Sequence, residues 1–150
     1  MERSLHEIFT DVHEETSFAK KATILKENDT YGLRHLLRAT YDDGVRWLVP
    51  NTRPPFEPND APDWDLAGVT LVKEMEKIGR FLEVKKDGEW VTTDQGRGMT
   101  KAQVEQLFIT LLETLHPSES ELVLQSVKGK LDYNGLTKSC VEKAFPGLLP

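Results

Sequence analysis

Five of the chain's eight prolines, Pro50, Pro54, Pro55, Pro58 and Pro62, fall within residues 50–62. Each lacks an amide donor and holds φ near −65°, so neither a helix interior nor a central strand can run through them. Residues 50–65 therefore read as an extended, partly polyproline-like segment, and the regular elements lie before and after it. A stretch this long without secondary structure is uncommon in a compact domain, and is characteristically functional or disordered.

Before that segment the pattern is helical. Ser4-Leu5-His6-Glu7 reads as a capping box, and Leu5, Ile8, Phe9 and Val12 follow as one helix stripe. A second helix is predicted from about Ser17 to Lys26 with Phe18, Ala22 and Leu25 inward. A third carries Leu33, Leu36, Leu37 and Tyr41, and Val45, Trp47, Leu48 and Val49 form a short apolar patch after Asp42-Asp43-Gly44. Beyond the prolines, Leu71, Met75, Ile78 and Leu82 predict one long helix from Leu66 to about Leu82. Lys86-Asp87-Gly88-Glu89 suits the tight turn of a small β-hairpin, and Gly96-Arg97-Gly98 reads as a flexible link.

The strongest helix signal begins with a second capping box, Thr100 to Gln103. Val104, Leu107, Phe108, Leu111, Leu112 and Leu115 make a stripe wide enough for a central core helix. Pro117 is expected to end it, Ser118 to Glu121 to cap the next, and Thr137 to cap a last helix carrying Val141, Ala144 and Phe145. The predicted fold is mostly α: a single domain over 1–150, a compact bundle of six or seven short helices with the Pro-rich segment and the hairpin.

Composition narrows the function classes. At 38% apolar and 29% charged the chain is globular rather than disordered. Its one cysteine, Cys140, excludes an internal disulfide framework and a multi-cysteine zinc site. The N-terminus lacks the apolar core of a signal peptide, and no apolar run approaches the ~20 residues of a membrane span. A net charge of −6 disfavours nucleic-acid binding through general electrostatics, which leaves that role to a local basic patch.

Several stretches form a distinctive series. They are Ser4-Leu5-His6-Glu7-Ile8-Phe9, Ile24-Leu25-Lys26-Glu27-Asn28-Asp29 with Leu33-Arg34, Leu48-Val49-Pro50, Pro54-Pro55-Phe56, and Pro58-Asn59-Asp60-Ala61-Pro62. Phe108-Ile109, Leu111-Leu112-Glu113, Leu115-His116-Pro117, Gly135-Leu136-Thr137 and Ala144-Phe145-Pro146-Gly147-Leu148 continue it. The series resembles an uncharacterised family of small proteins from T4-like tailed phages, nearly end to end, least over residues 66–100. The resemblance implies a phage origin, action in the host cytoplasm, and host transcription machinery as a reasonable partner class. It implies no site residue and no cofactor.

The residues themselves offer few catalytic constellations. His6 and His13 are spaced to share a helix face, yet no zinc-type ligand spacing accompanies them. His6 fits the capping turn, His35 an exposed helix position, and His116 a helix C-terminus. Cys140, with Lys138 and Lys143 close by, reads as a structural thiol, and Gly96-Arg97-Gly98 as a linker rather than an anion-binding nest. No metal or cofactor is expected.

Two surfaces carry the functional expectation. Arg34 and Arg38 lie one turn apart, with Tyr31, Tyr41 and Trp47 interleaved, so they suit a protein, a nucleic acid or a salt-bridged face. In the proline segment, Phe56 and Trp64 are aromatic anchors among Glu57, Asp60, Asp63 and Asp65. A stiff frame suits an interface because it loses little entropy on ordering; alternatively the segment is a strap that buries its aromatics internally. The expected partner surface is Phe56, Glu57, Asp60, Asp63, Trp64, Arg34, Arg38 and Trp47. The expected function is that of a non-enzymatic phage accessory protein binding a host or phage protein, the alternative being a nucleic-acid-binding accessory protein.

Overall fold

A computed structural model describes residues 4–50, 53–57 and 70–149. Three helices open the chain: α1 (Leu5–Glu14), α2 (Phe18–Glu27) and α3 (Tyr31–Tyr41). Strand β1 (Val45–Trp47) follows, then α4 (Thr70–Glu74) running into a 3-10 helix (Met75–Phe81). Strands β2 (Leu82–Lys86) and β3 (Glu89–Thr92) form the hairpin. The chain closes with α5 (Lys101–Thr114), α6 (Pro117–Val127) and α7 (Lys138–Ala144). Among the described residues this is a mostly α fold of seven helices with a small antiparallel sheet in the order β1-β2-β3.

Side-chain caps start the helices. Ser4, Ser17, Thr30, Thr100 and Thr137 each accept a hydrogen bond from the third amide of the helix they open. The Thr100–Gln103 box is reciprocal, whereas at Ser4 the Glu7 carboxylate accepts from the cap's own hydroxyl, at 3.0 Å. The start of α6 differs from expectation. Pro117 occupies the first helical turn, where its missing amide costs nothing, and His116 Nδ1 accepts from the Ser118 amide. His116 is thus an N-cap and not a helix C-terminal residue.

The core is one apolar cluster. Leu5, Phe9 and Val12 of α1, Leu25 of α2, Leu33, Leu36 and Leu37 of α3, and Leu112 and Leu122 are fully buried. Phe81 packs edge-on to Phe108 at 5.6 Å. Two expected positions turn out differently. Phe18 is 47% exposed, because α2 turns Lys21 inward, where its ammonium donates to the Val12 and Asn134 carbonyls. Leu107 is only half-buried, the inward face of α5 running through Val104, Phe108, Leu111 and Leu112.

The expected helix up to Leu82 is also corrected. Of its residues, 66–69 lie outside the described part, and beyond Glu74 the chain winds as a 3-10 helix before Leu82 enters β2. With three residues per turn, Met75, Ile78 and Phe81 fall on one line, and all three are buried. A side chain at Gly79 would collide with Gln95 and Thr93, whose side chains donate to the Glu76 and Gly79 carbonyls. Of the expected link, Gly96 is buried at the end of a short 3-10 turn (Asp94–Gly96), while Arg97 and Gly98 are exposed.

The hairpin forms as expected, with Asp87 and Gly88 at φ 52° and 81° in its two-residue turn. The apolar patch after α3 supplies its third strand. Asp42 Oδ1 accepts from the Gly44 amide to turn the chain, and Val45 then pairs with Val84 and Trp47 with Leu82.

Because Leu111 is enclosed and Leu107 is not, Leu111→Ala should lower unfolding free energy by about 2–5 kcal/mol through lost transfer energy plus cavity. Leu107→Ala should cost clearly less. Urea denaturation of the two variants checks this ordering.

Candidate functional site

Helix α3 has two unlike faces. Gly32, Leu33, Leu36, Leu37, Ala39 and Thr40 are buried, while Tyr31, Arg34, His35 and Arg38 recur at i, i+3, i+4 and i+7 as the outward stripe. Tyr31 is 61% exposed, and its ring lies 4.0 Å from that of His35. Burial, and then the neighbouring Arg38 charge, hold the His35 imidazole below its ordinary pKa, so charge on this ridge resides on the arginines. His35 is half-buried rather than an exposed helix residue.

A cleft lies on each side of the ridge. One, of about 300 Å³, runs between α3, the sheet and the 3-10 helix; Val45, Met75, Ile78 and Leu82 contribute apolar walls, and Glu76 and Asp94 carboxylates. The other, of about 540 Å³, lies between α3 and residues 144–148 and is more polar. Arg38 lines both. Arg34 lines only the second; it is fixed by a two-pronged pair with Asp29 at 2.6 and 2.7 Å and stacks 4.9 Å from the Phe145 ring centre.

The remaining expected site residues sit elsewhere. Trp47 is half-buried: its indole donates to Ser126 Oγ at 3.2 Å and its ring meets Phe108 edge-on at 6.1 Å. Residues 53–57 lie beside α5 and α6. Arg53 pairs with Glu121 at 2.6 Å and covers the half-buried Phe56 ring at 5.0 Å, and the Glu57 amide donates to Glu113. This part of the proline segment is strapped onto the helices. A cleft of about 290 Å³ between it and Phe108 and Ile109 shares no lining residue with the two beside α3. Asp60, Asp63 and Trp64 lie outside the described residues.

The sequence groups Tyr31 with Arg34 and Arg38, and the structure adds His35 to that stripe. The i, i+3, i+4, i+7 spacing of Tyr31, Arg34, His35 and Arg38, the complement of the leucine stripe, is the signal that includes His35. The acidic wall at Glu76 and Asp94 depends on the 3-10 winding and had no such signal.

The groups suited to catalysis are engaged in architecture. His6 Nδ1 meets the Tyr133 hydroxyl at 3.1 Å, His13 Nδ1 accepts from the Asn134 amide at 2.8 Å, and His116 caps α6. Cys140 is fully buried, and burial pushes its thiol up. Among the described residues no three His, Cys, Asp or Glu side chains are placed to hold a metal ion.

The chain matches a family of unknown function, DUF6433, over residues 8–133. It belongs to that family. No curated protein matches it. No helix among the described residues is long and apolar enough to cross a membrane.

One titratable group outside the ridge has a measurable consequence. Glu119 in α6 is fully buried; Oε1 lies 3.4 Å from the Leu71 amide, and Oε2 has no hydrogen-bond partner among the described residues. Burial raises its pKa, the Leu71 amide opposes, and the Glu7 carboxylate adds to the rise, leaving it pushed up to about 8. The folded state thus holds this proton more tightly than the unfolded chain, where a glutamate titrates near 4.5. Its stabilising contribution is complete below about pH 4.5, falls as pH rises through about 8, and then levels off. Glu119→Gln should remove that slope and leave the variant more stable than the parent at pH 9, by on the order of a few kcal/mol. Thermal unfolding from pH 5 to 9 checks it.

Proposed function

We propose that the protein is a non-enzymatic phage accessory protein that binds a host or phage protein through the α3 ridge, acting in the host cytoplasm. The observation that carries this reading is the outward stripe of Tyr31, Arg34 and Arg38, with half-buried His35 among them, between two clefts on a helix whose other face is core. Exposed aromatics and arginines are the residue types that dominate binding energy at protein interfaces. The phage assignment is supported by the motif series, from Ser4-Leu5-His6-Glu7 to Ala144-Phe145-Pro146-Gly147, and it makes host transcription machinery the first partner class to test.

The nucleic-acid alternative draws on the same arginines. Arg34 and Arg46 are spent on Asp29 and Glu83 at 2.6 and 2.7 Å, and Lys138 stands beside Asp43. Paired cations release fewer counterions from phosphate than free ones, which weighs against that reading.

Tagged protein recovered from infected cells should carry a stoichiometric partner, and Tyr31→Ala should reduce its recovery at least tenfold with unchanged thermal stability. Phe18→Ala, which truncates a comparably exposed aromatic on α2, should leave recovery intact. Equal loss in both variants, or in neither, would remove the ridge as the interface.

A further inference from the structure

We propose that the cleft beside α3 receives an apolar side chain from an acidic segment of the partner, and that Arg38 clamps the neighbouring carboxylate. This rests on the protein-binding reading and adds the chemistry of the partner.

Arg38 differs from every other arginine among the described residues. The side chains of Arg34, Arg46, Arg53, Arg80 and Arg97 each donate a hydrogen bond within the protein, to Asp29, Glu83, Glu121, the Lys77 carbonyl and Asp94. Among the described residues no hydrogen bond engages the Arg38 guanidinium. It forms a long ion pair with the buried Asp42, whose Oδ2 lies 3.8 Å from Nε while Oδ1 accepts from the Gly44 amide, so its N–H donors are left open. A planar fork of N–H donors with a fixed charge stands at the crest between two clefts, and a carboxylate fits that fork with two parallel hydrogen bonds.

Shape decides what carries the carboxylate. At about 300 Å³ the apolar cleft is at the lower limit for a small-molecule pocket, a size suited to one anchoring side chain. The ridge from Tyr31 to Arg38 is about 10 Å long at ~1.5 Å per residue. Three residues of extended chain, at ~3.3 Å each, cover that length. The polar cleft then continues the path past Arg34 toward residues 144–148.

Charge fixes the direction. Glu76 and Asp94 stand on the wall facing α3, and Asp94 is paired with Arg97 at 2.8 Å. An acidic segment is repelled from that wall and held against Arg38, with its apolar side chain over Val45, Ile78 and Leu82.

The test uses amide chemical-shift titrations of the full chain with three peptides. These are acetyl-Glu-Asp-Phe-Asp-Glu-amide, its Gln/Asn counterpart, and a counterpart with lysine at the four charged positions. The acidic peptide should bind at least tenfold more tightly than the neutral one and perturb Ala39, Val45 and Ile78. Arg38→Gln should erase that advantage, raised salt should weaken it, and Glu76→Gln should strengthen acidic binding severalfold. Equal affinity for acidic and neutral peptides, preference for the lysine peptide, or perturbation confined to other surfaces would overturn the proposal. Partner recovery lost in Tyr31→Ala but unchanged in Arg38→Gln would also overturn it, while leaving the ridge as an interface. Recovery unchanged in both would remove the two readings together.

Discussion

Burial of one face of α3 is the constraint on which the rest of the structure depends. Leu33, Leu36 and Leu37 are wholly enclosed, and the helix touches α4, α6, β1 and the 3-10 helix. Apart from α6 those neighbours are short, and a three-stranded sheet this small has little stability of its own. Their positions are set by what they lay against α3. Thr40 extends the contact with a polar link, its hydroxyl meeting Ser126 Oγ at 2.6 Å, which in turn accepts from the Trp47 indole. Helix, strand and α6 are thereby tied at one buried point. The outward stripe inherits that rigidity, so ridge side chains stand on a backbone that cannot shift without opening the core.

Local chemistry was legible in the sequence and tertiary chemistry was not. The caps at Ser4, Thr100 and Thr137 and the Asp87-Gly88 turn depend on residues within four positions of one another, and each stands where the pattern put it. The failures involve distant partners. The spacing of Leu71, Met75, Ile78 and Leu82 suits an α-helix, but packing against Thr93 and Gln95 is compatible with the tighter 3-10 path, which aligns Phe81 instead. The local pattern puts Phe18 inward because nothing near it in sequence shows that Lys21 has the Val12 and Asn134 carbonyls to meet. At the site, the arginines were legible as charge, whereas the clefts that give Arg38 its setting come from the 3-10 helix and the C-terminal turn.

Residues 128–137 show how polar pins replace an apolar stripe where no regular element forms. The Tyr41 hydroxyl donates to the Leu136 carbonyl and accepts from the Leu131 amide. Lys21 holds the Asn134 carbonyl and His13 the Asn134 amide, while His6 and Phe9 pack on the Tyr133 ring. Two histidines that share a helix face, a spacing that also suits metal ligation, thus clasp a tyrosine. A buried polar group is tolerable when it is hydrogen-bonded, and these contacts satisfy backbone groups that would otherwise be costly to enclose. Glu119 meets the cost differently: with Oε2 unpartnered among the described residues, it avoids the larger cost of a buried charge by holding its proton below about pH 8.

The same reasoning separates the ridge arginines from one another. Arg34 has exchanged water for Asp29 and the face of Phe145, so a ligand reaching it must displace a formed pair. Such an exposed pair is worth at most about 1 kcal/mol, yet it still removes most of the local field. Arg38 is held more loosely: Asp42 Oδ2 forms a long ion pair with its Nε at 3.8 Å while Oδ1 accepts from the Gly44 amide at the turn into β1, so the guanidinium keeps its hydrogen-bond donors. On a chain carrying −6 overall, that local cation acts over about a Debye length, roughly 8 Å at physiological salt. Its influence is confined to the two clefts it lines, so recognition there depends on close chemical fit rather than on long-range attraction.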